Sequence, residues 1–90
     1  MTVAALAAWL AIAERADSLH DAAAALRAAL PASMRVLPMD AIDLRDEQPA
    51  LRGERRTLFL GASDGHCVSM TTDLRAAAVL FVADTAVAGG

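Results

Sequence analysis

Aromatic residues are scarce in this chain: tyrosine is absent, and Trp9, Phe59 and Phe81 make up the 3% that there is. The large side chains that usually anchor a small core are therefore few, and each must matter. Cysteine is scarcer still. Cys67 stands alone, which excludes an intramolecular disulfide and fits a reducing compartment, so a cytoplasmic protein is expected. Positive charge is outnumbered, with 8 basic against 11 acidic residues and a formal charge of -3. No basic stripe is available to neutralise a row of phosphates, and nucleic acid is not an expected partner. No apolar run is long enough to span a bilayer, so no membrane partner is expected either. The run from Val3 to Ala13 ends in Ala11-Ile12-Ala13, which looks like a signal-peptidase site, but Met1-Thr2 supplies no basic residue ahead of it. It is read as a core helix. A glycine-rich phosphate loop after a strand is missing as well.

What is present is alanine. The chain has 90 residues, enough for one domain, and 57% of them are hydrophobic. Much of that share is alanine, which buries little area and favours helix. Val3, Leu6, Leu10 and Ala13 recur at helical spacing, with Trp9 and Ile12 widening the arc, so residues 2–15 are predicted as a helix. Asp17 or Ser18 can cap a second helix whose stripe is Leu19, Ala23, Leu26 and Leu30, and Pro31 ends it. The two should form a helical hairpin.

Met34 to Met39 is long enough for one strand, and Asp40 to Gly53 reads as a charged surface loop with a helical turn at residues 41–44. Residues 55–62 and 66–72 are the clearest strands. A three-residue loop, Ser63-Asp64-Gly65, pairs Leu60 with Val68 and Leu58 with Met70 and gathers all four on one face. Thr72 or Asp73 can cap a third helix over residues 74–83, although Val79-Leu80-Phe81-Val82 also fits a buried strand.

Candidate chemistry is thin. His66 and Cys67 are both metal-ligand types and a Cys-His couple can make a nucleophile, but neighbours on a strand point to opposite faces. They are kept as a possible ligand or redox pair, with Arg55 or Arg56 available to activate the thiol. Asp40, Asp43, Asp46 and Glu47 lack the ligand spacing of a calcium loop. Ser63, Asp64 and His66 sit in a tight turn that cannot orient a triad. No catalytic residue, metal or cofactor is expected.

The stretch His66-Cys67-Val68-Ser69-Met70-Thr71-Thr72-Asp73-Leu74, followed by alanine-rich residues 75–83, resembles small proteobacterial proteins encoded near nitrogen-fixation genes. The resemblance implies an accessory role around nitrogenase assembly or regulation and names no catalytic residue. The expected architecture is α+β: an N-terminal helical hairpin, a small antiparallel sheet of about three strands and a C-terminal helix packed on it. The expected function is that of a non-enzymatic accessory or adaptor protein acting by protein-protein binding, with a small-ligand or thiol-based redox sensor at Cys67 and His66 as the alternative. A C-terminal helix apolar nearly all round needs cover on a second side, so a homodimer through Val79, Leu80, Ala83 and Val87 is expected.

Overall fold

Thr2 starts the first helix by accepting the Ala5 N–H on its hydroxyl at 3.1 Å, which satisfies one of the donors a helix start leaves unpaired. In the computed structural model, which describes residues 2–85, helix α1 runs Val3–Arg15 and α2 Leu19–Ala29. Ser18 is the cap of α2, accepting from Asp21 N at 3.1 Å. Leu30 ends it in extended backbone, as a residue before proline should. The predicted stripe on α2 is the face that packs, with Ala23, Leu26 and Leu30 buried.

Five strands follow: β1 Arg35–Pro38, β2 Leu51–Arg52, β3 Arg56–Ser63, β4 Val68–Thr71 and β5 Val79–Asp84. A 3-10 turn at Ala41–Leu44, capped by the Asp40 carboxylate at 3.0 Å from Ile42 N, falls where the charged loop was expected to hold a helical turn. The sheet is mixed. Its order is β1-β5-β3-β2, with β4 also paired to β3. β5 lies parallel to β1 and antiparallel to β3. The α+β class holds, with the helical hairpin as expected, but the three-stranded antiparallel sheet is corrected to five mixed strands.

The predicted C-terminal helix is corrected too. Residues 79–84 form a central strand, buried at every position from Val79 to Ala83. A strand covered on both faces shows no alternation, which removes the signal that separates it from a helix. The supposed helix cap does something more local. Asp73 accepts the Arg75 N–H at 2.9 Å, and Thr71 accepts the Asp73 N–H at 3.0 Å, so the two side chains close short turns.

Two apolar clusters sandwich the sheet. Leu58, Leu60, Leu80, Val82 and Val36 face the helices and meet Leu6, Ala13, Ala22, Ala23 and Leu26. Phe59, Phe81, Val79 and Ala83 face the other way, against Leu44 from the 3-10 turn, with Leu37, Met39 and Met70 at their margin. Gly61 allows the second packing. A Cβ there would stand 2.7 Å from Phe81 Cε2 and 2.8 Å from Val68 Cγ1, closer than carbons can approach.

Below the helix-facing cluster, Glu14 at the end of α1 accepts three backbone N–H groups from the β2–β3 turn: Glu54 at 3.0 Å, Arg55 at 2.8 Å and Arg56 at 2.6 Å. Burial alone would raise the Glu14 pKa, but these bonds and the Arg55 guanidinium outweigh it and hold it below its ordinary value of 4.5. Arg56 is 5% exposed. Its Nη2 donates to the Ala16 carbonyl at 3.1 Å and its Nη1 lies 3.3 Å from Asp84 Oδ1, while its Nε is without a partner.

Candidate functional site

Strand β3 is the spine on which the two exposed ends of the sheet hang. One of its sides is taken by β5 along Arg56–Gly61. The other is shared end to end by β2, opposite Thr57–Leu58, and β4, opposite Leu60–Ser63. The outer edges are therefore β1 on one flank and, on the other, β4 end to end with the two-residue β2.

The β1 edge is closed. Arg35 N–H donates to Ala78 O and Met39 N–H to Val82 O, so the alternation of a strand turns the backbone groups of Val36 and Pro38 outward. Pro38 has no N–H to offer. The Val36 carbonyl already accepts from Arg27 Nε at 3.3 Å and Nη2 at 3.1 Å. A proline and an inward-turned arginine are among the devices that stop edge-to-edge pairing.

The β4 edge has neither. Asp64 N–H donates to Cys67 O, which turns Cys67, Ser69 and Thr71 toward β3 and the backbone groups of Val68 and Met70 outward. From Cys67 to Thr72 the chain holds no charge, proline or glycine. Val68 is 41% exposed. This edge was not singled out from the sequence, although the neutral run was its visible signal.

The β3–β4 loop corrects the predicted hairpin register. The turn spans residues 64–67, Ser63 pairs with Val68 and Gly61 with Met70, so Leu60 and Val68 lie on opposite faces. Gly65 does take the left-handed conformation, at φ 97°. What lengthens the loop is Asp64, whose Oδ1 accepts from His66 N at 3.0 Å and Cys67 N at 2.8 Å. The same two bonds, Cys67 first, lower the pKa of the Asp64 carboxyl.

His66 and Cys67 are both exposed at that tip. Arg55 and Arg56 are not beside them: they lie at the opposite end of β3, roughly 25 Å away at the rise of a strand, engaged with Glu14, Ala16 and Asp84. Neither of the two arginines expected beside the thiol is placed there. Among the described residues no three His, Cys, Asp or Glu side chains gather as a metal site, and Asp40, Asp43, Asp46 and Glu47 are spread along an exposed loop. Between that loop and the sheet runs a cleft of about 140 Å³ lined by Leu44, Arg45, Thr57 and Phe59, smaller than ligand pockets usually are.

The expected interface residues are placed elsewhere than on a surface. Val79, Leu80 and Ala83 are at most 1% exposed inside the sheet, and Val87 lies outside the described residues. No helix among the described residues is long and apolar enough to cross a membrane. Comparison of the chain with protein-family models, curated proteins and solved structures gave no match.

Proposed function

We propose that this chain is a non-enzymatic accessory or adaptor protein of the cytoplasm that works by binding a partner strand along the outer edge of β4. One observation carries the reading: the β1 flank is closed by Arg27 and Pro38, whereas on the opposite flank, next to the two-residue β2, β4 turns the backbone groups of Val68 and Met70 outward beside an exposed Val68. An edge of this kind takes an added strand through main-chain hydrogen bonds, with side chains setting selectivity. The accessory role around nitrogenase implied by the resemblance is part of the same proposal, and its support is the stretch from His66 to Leu74, which contains β4.

The test is capture from native cells with wild-type and Val68→Lys protein, followed by rebinding of purified components, because lysine on an edge opposes strand addition. A protein that binds the wild type and not the variant is the expected result. Equal binding to both would overturn the edge as the site.

The thiol-sensor reading keeps one supporting observation, the exposure of Cys67 beside His66. Mass spectrometry of protein from native cells distinguishes it, since an adduct or metal on either residue would favour the sensor.

A further inference from the structure

We infer that the strand received by β4 is β4 of a second copy, paired antiparallel about a twofold axis at Ser69. This rests on the proposed use of that edge and names its occupant. Val68 and Met70 each present one outward N–H and one outward carbonyl. An axis at Ser69 sets Val68 against the partner's Met70, and Met70 against the partner's Val68, so that all of these groups pair.

Other centres do worse. With the axis at Val68, Met70 would face the partner's His66, whose N–H is already given to Asp64 at 3.0 Å. With the axis at Met70, Val68 would face the partner's Thr72, which lies past the end of β4.

Side chains agree with the Ser69 axis. Ser69 faces its own counterpart across a close, non-hydrogen-bonded pair, where two hydroxyls can bond. Val68 and the partner's Met70 share the face of the sheet that carries Phe59 and Phe81, so apolar meets apolar. No charged residue lies between Cys67 and Thr72 to repel its own copy. Thr72 falls opposite the partner's His66. Beside it Glu47 lines the cleft at Met70–Thr72.

Closure favours a second copy over a foreign strand. Joining two β4 strands occupies the neutral edge of each copy; the β1 edges that remain are blocked by Arg27 and Pro38, and the two-residue β2 stays beside β4 on the joined flank. A twofold pairing uses the same β4 edge in both copies, so this contact closes at two. The sequence contains no lysine at all, so the usual edge guard is missing from β4.

Sedimentation of the full chain at high micromolar concentration tests this with charge variants at Ser69, an exposed position whose substitution leaves the core alone. Wild type is expected as a dimer. Ser69→Asp and Ser69→Lys each set like charges face to face and should weaken association on the order of fivefold, while an equal mixture of the two regains it. In a Cys67→Ser background, Ser69→Cys should form a disulfide-linked dimer under mild oxidation and Val68→Cys should not, because only position 69 meets itself. Circular dichroism confirms that each variant is folded. A monomeric wild type overturns the second copy, and if its captured partner is still lost on Val68→Lys the edge reading survives. A dimer indifferent to both Ser69→Asp and Val68→Lys overturns the inference and the edge reading together.

Discussion

Arg27, on the exposed side of α2, reaches across to the flank of the sheet and places two guanidinium N–H groups on the Val36 carbonyl, at 3.3 and 3.1 Å. An arginine on the exposed face of its helix thus serves as the stop on an edge strand. It also ties the second helix to β1, since the stem of the side chain must lie along the gap between them.

Replacing that arginine is expected to have two effects. Arg27→Ala should cost about 1 kcal/mol, the usual net worth of such a bond when partly exposed, readable as a lower urea midpoint. It should also open the β1 edge, so that the variant forms larger species on concentration. Arg27→Lys restores a single donor and should recover stability in part. A variant as stable as wild type and no more prone to associate would show that the edge is guarded by Pro38 alone.

Glu14 gives a pH dependence with a definite sign. Its pKa is lower in the folded protein than its ordinary value of 4.5, so the carboxylate contributes stability that is present above about pH 4.5 and is lost as the pH falls through the folded value. The stability difference between wild type and Glu14→Gln should therefore be full at neutral pH and shrink below pH 4.5. Urea titrations across the acid range measure it. A difference that stays constant down to the lowest pH would mean that the charge on Glu14 is immaterial to its hold on the β2–β3 turn.

Gly61 is the tightest point of the second face. Gly61→Ala adds a Cβ 2.7 Å from Phe81 Cε2 and 2.8 Å from Val68 Cγ1, so both side chains must move. A loss of roughly 1 to 3 kcal/mol is expected, as for other overpacked sites. Because Val68 is one of the displaced groups, the variant should also associate less through β4. Thermal unfolding and sedimentation read the two effects separately. Unchanged stability would mean that Phe81 can shift at no cost.

The local features were legible in the sequence because local chemistry decides them. Helix starts at Thr2 and Ser18, the stop at Pro31, the apolar stripe of α2, the turn after Asp40 and the left-handed Gly65 all follow from residues within a few positions of one another. The α+β class followed from their order. Three decisions lay elsewhere. Val79 to Ala83 became a strand because two partners, β1 and β3, were available to pair with it and two clusters to cover it. The β3–β4 register took the longer loop because Asp64 draws in the amides of His66 and Cys67, and because a sheet packed on both faces can hold Met70 at the margin of the cluster on the side away from Leu58 and Leu60. Periodicity assumes one dry face, and here there are two. The open edge at β4 and the closed edge at β1 exist only once the strand order is known, since whether a backbone N–H is spent or free depends on which strand lies beside it.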